Sequence, residues 1–271
     1  MKNSRNSSDF YKNSKGINLH IKRDLIKNPK AIILIVHGLC EHLQRYDYVV
    51  SKFNEWGYSV YRFDNQGHGR SQGKRAYIED YNDFTKDVDE MVELIKKENE
   101  NEKIFILGHS MGGMIGSLYG IDYPNRVDAI ILSAGVTVDN AKLMESNMNI
   151  DDEDTVPNGL GSLICTDKRV VELYENDPLV CKETTGKIFK ECYKAIKYIC
   201  ENMYKFEYPV YILHGKDDKI VYCEDSEILY KNIKSKDKSL KLYDGLYHEI
   251  LNEFKKDEVL EDIKNWLLAR I

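Results

Sequence analysis

The segment IFILGHSMGGMIGSLYG, residues 104–120, changes character partway through. It opens on an apolar run and turns glycine-rich, with Ser110 between His109 and Met111 and glycines at 108 and 112. A strand running into a helix explains the pattern, the glycines allowing close packing at the turn. A nucleophile explains it too. A sharp strand-to-helix turn forces its central residue into strained φ/ψ, and flanking glycines remove the Cβ clashes. Gly108-His109-Ser110-Met111-Gly112 reads G-x-S-x-G, and its place between a predicted strand and a predicted helix makes so short a motif informative. The serine Oγ would then project from the C-terminal edge of the sheet, where open α/β sheets bind ligands. The helix N-terminus behind it offers N–H groups to a developing oxyanion.

Outward from this segment the chain alternates. Ala31–Val36, Tyr58–Phe63, Asp128–Ser133 and Pro209–Gly215 are short apolar runs like Lys103–Gly108, the mark of strands buried on both faces. Ser239–Gly245 reads as a sixth strand, and INLHIKR alternates as an antiparallel edge would. Between them, Tyr81–Glu98 carries Phe84, Val88, Met91, Val92 and Ile95 on one helical stripe, and Ser110–Ile121 and Val259–Ala269 also read as helices. The pattern predicts an α/β fold with a mainly parallel central sheet flanked by helices. One interval, Ala134–Glu207, has no β-rich run. It starts with the acidic, loop-like NIDDEDTVPNGLG and continues into a stripe of Ile188, Cys192, Ala195, Ile196, Ile199 and Met203. Residues 17–133 and 208–271 are therefore expected to form the core, with 134–207 a helical cap inserted before the acid-bearing strand. Residues 1–16 are expected to be a polar mobile tail.

Composition narrows the function. At 271 residues, with 42% hydrophobic and 31% charged residues, the chain suits a globular core with an insertion. A net charge of −6 gives no electrostatic reason to expect a nucleic-acid partner. The six cysteines form no C-x-x-C pair and read as reduced thiols, and the polar start lacks the apolar stretch of a secretory signal. Both point to the cytoplasm. An exposed apolar face of the cap could dock on a lipid surface, although these helices could equally bury that face in the domain.

A serine hydroxyl needs a base, and the base needs a carboxylate to orient it. In this fold the chain order should be Ser, then Asp or Glu, then His, each just past a strand. Two histidines follow Ser110. His214 sits inside the end of its strand, whereas His248 follows the last strand and precedes the final helix, the expected place. The loop after the Pro209 strand supplies two candidate acids, Asp217 and Asp218.

At this point the chain resembles the monoacylglycerol lipase/lysophospholipase-like serine hydrolases of the α/β-hydrolase superfamily. HGLCEHLQRY (37–46), DNQGHGRSQG (64–73), GHSMGG (108–113), LYENDPLV (173–180) and YHEILNE (247–253) are similar to that family's motifs and occur in its order. HGKDDKIV matches its G-x-x-D-x-I-V loop, which prefers Asp218 over Asp217. The resemblance implies a catalytic triad of Ser110, Asp218 and His248, with the backbone N–H groups of Leu39 and Met111 as the oxyanion hole. It places Glu41 and Arg45 near the polar head of the substrate, although, four apart, they could equally pair with each other. His37, His42, His68 and His109 are expected to order loops. Glu41-His42 is not H-E-x-x-H, so no metal is expected, and no cofactor is needed. The implied activity is release of a fatty acid from a monoacylglycerol or lysophospholipid, a small lipid ester, through an acyl-enzyme. The alternatives are a broad carboxylesterase or thioesterase, a small-peptide hydrolase needing an acidic anchor for the free amine, and a non-catalytic binding protein. Two features depart from the family. Leu251 stands where some members carry a second histidine, and the resemblance does not explain the acidic DDED stretch.

Overall fold

Side chains alternate across a strand, so an uninterrupted apolar run needs cover on both faces. The computed structural model, which describes residues 5–271, supplies that cover. Its main sheet holds β1 (Arg5–Lys12), β2 (Asn18–Leu25), β3 (Ile32–Val36), β4 (Ser59–Phe63), β5 (Ile104–His109), β6 (Ala129–Ser133), β9 (Val210–Gly215) and β10 (Lys238–Tyr243). The short β7 (Thr155–Pro157) and β8 (Glu183–Thr185) pair separately. The order across the main sheet is β1-β2-β4-β3-β5-β6-β9-β10, parallel from β4 to β10, with β2 antiparallel to both its neighbours.

The alternation divides each run between two cores. Ile32, Leu34, Val36, Ile104, Ile106, Ile130 and Leu132 face one side, against α2 (Asn82–Glu98) and α3 (Met111–Asp122). Ile33, Ile35, Phe105, Leu107 and Ile131 face the other, against α1 (Asp47–Trp56) and α6 (Lys256–Leu268). The stripe foreseen in α2 is buried along its length. Each such aliphatic side chain contributes about 1.5–3 kcal/mol on full burial.

Residues 134–207 leave the sheet after β6 and return at β9. They contain α4 (Lys168–Asn176) and α5 (Gly186–Asn202), whose Ile188, Cys192, Ala195, Ile196 and Ile199 are buried as the stripe requires. The insertion is not wholly helical, because β7 and β8 form an antiparallel ribbon within it. The DDED stretch has a structural task at the start of α5. Gly186 N–H donates to the Asp154 carbonyl at 2.9 Å, and Lys190 pairs with Asp152 at 2.8 Å.

The expected tail at 1–16 needs correction. Residues 1–4 lie outside the described part, but β1 pairs along its whole length with β2, from Arg5 opposite Leu25 to Lys12 opposite Asn18. It is an edge strand, and INLHIKR lies one place in from the edge. Among the described residues, no helix is long and apolar enough to cross a membrane.

Candidate active site

The turn from β5 into α3 is as tight as its glycines suggest. Ser110 sits at φ 56°, ψ −117°, outside the usual regions for an L-residue, and is fixed by its N–H to the Ser133 carbonyl at 2.9 Å. A Cβ on Gly108 would lie 2.2 Å from the Gly112 carbonyl oxygen, and one on Gly112 would lie 2.0 Å from that of Val36. Only hydrogen fits at either position. Ser110 stays half-buried at the bottom of a cavity of about 20 Å³, with His248, Leu39, Leu160, Ile164 and Tyr174 among its walls.

β9 and β10 deliver the partners. His248 Nδ1 lies 2.7 Å from Asp218 Oδ2, both residues buried. The other Asp218 oxygen accepts from the Ile220 and Val221 N–H groups at 2.8 and 3.0 Å. Burial works against the carboxylate. The His248 charge and the bonds from His214 and His248 outweigh it and hold Asp218 well below the usual range. For His248, burial disfavours the imidazolium but the Asp218 charge wins, so its pKa rises above the ordinary 6.5. Asp217 plays no part in this, being exposed and accepting from Gly245 N–H at 2.8 Å. The alternative acid is thus placed away from His248.

Leu39 and Met111 meet where β3 and β5 end. Among the described residues the Leu39 N–H donates to no protein acceptor, and Met111 opens α3, where helix geometry leaves the N–H without an intrahelical partner. Glu41 sets the loop between them. Its Oε1 accepts from Gly38 N–H at 2.6 Å and from the Tyr46 hydroxyl at 2.7 Å. Arg45 pairs with Glu41 at 3.2 Å, grips Glu249 with both terminal nitrogens, and stacks on Tyr174 at 4.7 Å. Glu41 and Glu249 line the Ser110 cavity, while Arg45 lines the larger outer groove beside α4.

The four histidines expected to order loops are each held by neighbouring groups. His37 Nδ1 bonds the Gly38 carbonyl at 2.8 Å and its Nε2 accepts from Asn65 N–H at 2.8 Å, while burial pushes its pKa down to about 4. His42 pairs with Asp177 of the cap at 2.8 Å. His109 rests against His248 at a centroid separation of 4.8 Å and is likewise held neutral, burial pushing its pKa down to about 4. His68 bonds the Gln66 carbonyl at 3.0 Å.

Sequence reasoning missed several supports. His214, seen only as a strand residue, brings Nε2 to 3.0 Å from Asp218 Oδ2 and Nδ1 to 2.7 Å from Ser226 Oγ. Its position four residues before Asp218 was the available signal. Glu249 and the cap's Ile164 were also missed, and the Glu249 N–H donates to the Ile164 carbonyl at 2.8 Å. Leu251, in place of a second histidine, is buried in the core with Leu246 and Ile250.

Fold and elbow together define a serine hydrolase of α/β-hydrolase architecture. The chain belongs to the family described as serine aminopeptidase, S33, which matches residues 27–255. It is similar to the monoacylglycerol lipase of Mycolicibacterium smegmatis, 30% identical over 255 residues and covering 90% of each chain. The monoglyceride lipase of Mus musculus is also 30% identical, over 260 residues, covering 90% of this chain and 84% of that one. Among solved structures, the monoacylglycerol lipase of Paleococcus ferrophilus superposes with a TM-score of 0.83 at 28% identity, covering 93% of this chain and 99% of that one.

Proposed function

We propose that the protein releases a fatty acid from a single-chain glycerolipid through an acyl-enzyme on Ser110. The observation that carries this reading is an apolar cavity of about 240 Å³ that shares Leu39 and Leu160 with the Ser110 cavity and continues over Leu143, Val156, Leu163 and Phe189. An acyl chain held there would present its carbonyl to Ser110.

With Nδ1 committed to Asp218, the neutral His248 keeps Nε2 for the serine proton. Ser110 Oγ attacks the acyl carbon, His248 takes the proton, and the oxyanion forms against the N–H groups of Leu39 and Met111. His248 then returns the proton to the departing glycerol oxygen. In the second half it activates water, which frees the acid and restores Ser110. Asp218 stays ionised throughout and stabilises the imidazolium.

The relatives named for monoacylglycerol hydrolysis support the substrate class. The family description raises a peptidase reading, which needs an unpaired carboxylate near Ser110 to hold a free amine. Both carboxylates that line the cavity, Glu41 and Glu249, are already paired with Arg45, and Asp152 of the cap pairs with Lys190. That favours the ester. The test is a panel of monoacylglycerols, lysophospholipids, triacylglycerols, short aryl esters and aminoacyl amides, with fluorophosphonate labelling mapped by peptide. Labelling at Ser110 with turnover greatest on the single-chain lipids is expected. Turnover confined to the amides would overturn the reading.

A further inference from the structure

Two buried cysteines are joined through their backbones where the core meets the cap. Cys40 follows Leu39 in the loop after β3, and Cys181 lies in the cap between α4 and β8. Both are buried and reduced. The Cys181 N–H donates to the Cys40 carbonyl at 2.8 Å. A backbone bond of that length keeps the two Cα atoms below the ~6.8 Å upper limit for a disulfide. The Cys40 sulfur lies 3.2 Å from the Thr184 hydroxyl, and the Cys181 thiol donates to the Gly67 carbonyl at 3.8 Å.

We propose that Cys40 and Cys181 are a redox modification site, a dithiol that a hydroperoxide converts into a disulfide joining the Leu39 loop to the cap.

The chemistry balances. The Cys181 thiolate attacks one oxygen of hydrogen peroxide, the O–O bond breaks, and a sulfenic acid forms while the departing hydroxide takes up the proton the thiol released and leaves as water. The Cys40 sulfur then attacks the sulfenic sulfur, the S–O bond breaks, and a second water leaves as the S–S bond forms. Two thiols are oxidised and one peroxide is reduced to two waters. The environment favours Cys181 as first nucleophile. The neighbouring Cys40 thiol lowers its pKa against the effect of burial, and the His68 ring and Arg75 guanidinium act in the same direction. Burial instead pushes the Cys165 and Cys192 thiols up to about 12, so those stay protonated.

The bond would matter because the cap must move. A cavity of about 20 Å³ above Ser110 admits no lipid ester, so turnover needs the cap to lift away from the Leu39 loop. A covalent tie between loop and cap holds the closed state. This effect on turnover rests on the proposed role of Ser110, whereas formation of the bond does not.

The experiment treats the reduced full-length protein with hydrogen peroxide, then alkylates, maps the peptides and assays a monoacylglycerol before and after dithiothreitol. The expected result is a Cys40–Cys181 linked peptide and an intact mass lower by two hydrogens. Hydrolysis should fall at least about tenfold, because cap opening gates access, and should recover on reduction. Cys181→Ser should keep its activity through the same treatment. Both thiols remaining alkylatable, a different pairing, or a linked protein as active as the reduced one would overturn the proposal. If the reduced protein hydrolyses no ester, the peptide map still decides whether the site exists and the failure falls on the Ser110 reading alone.

Discussion

In the proposed mechanism His248 must be neutral when Ser110 gives up its proton, and its neighbours set the pH at which that holds. Asp218 raises its pKa above 6.5, so kcat/KM should climb with pH along one limb whose midpoint lies above that value. Below the midpoint the imidazolium cannot accept the proton and activity is lost. Asp218→Asn removes the charge that raises the pKa, so the midpoint should fall. The wrong tautomer should also cost roughly 10⁴-fold in kcat. Asp217→Asn should leave both the profile and kcat near wild type, as its carboxylate caps Gly245 instead. If Asp217→Asn were the crippling change, the acid would be misassigned. Ser110→Ala should fold normally and lose about 10⁶-fold in kcat together with its fluorophosphonate label, and hydrolysis within tenfold of wild type would remove Ser110 from the mechanism. The strained elbow at Ser110 and the place of His248 after the last strand were legible as geometry, because the motif and the chain order after it leave few options. Between Asp217 and Asp218 the residues alone left the choice open, since adjacent aspartates in one loop differ only in which of them folds inward, and it was the likeness of HGKDDKIV to the family's loop that picked Asp218. The second partner of Asp218, His214, was hidden for a related reason. A histidine at a strand end looks the same in sequence whether it fills space or donates a hydrogen bond.

At the scale of elements, the buried strands announced themselves because burial on both faces demands continuous apolar runs, as in β3, β5 and β6. β1 gave no such signal. RNSSDFYK lies at the sheet edge with nearly all its described side chains exposed, so its backbone pairs without leaving an apolar pattern. β7 and β8, at three residues each, are too short to show a period. α4 was missed as well, with Tyr174 its single buried residue. The elbow offers the sharpest test at this scale. Gly112→Ala would set a methyl 2.0 Å from the Val36 carbonyl oxygen, a backbone atom that cannot rotate away. α3 must then shift from β3, carrying the Met111 N–H away from that of Leu39. Overpacking of this kind costs about 1–3 kcal/mol, so a lower Tm together with a drop in kcat is expected, measured by thermal melt and ester turnover. An unchanged kcat would mean that the spacing between these two N–H groups does not matter to the reaction.

In the whole molecule, the proposed cap of residues 134–207 roofs the nucleophile and turns it toward single acyl chains. The apolar cavity that shares Leu39 and Leu160 as walls with the Ser110 cavity is the physical basis. Each methylene buried there is worth about 0.8 kcal/mol of transfer free energy, of which binding realises a part because the chain loses freedom. A cavity of this size has room for one chain and excludes the three of a triacylglycerol. The measurement that bears on this most directly is kcat/KM along a monoacylglycerol series from acetyl to octadecanoyl, with the matching triacylglycerols alongside. The predicted result is a rise from short to medium and long chains, with the triacylglycerols far slower throughout. A flat or falling profile, or equal rates on the triacylglycerols, would contradict the roofed acyl site and leave a general esterase.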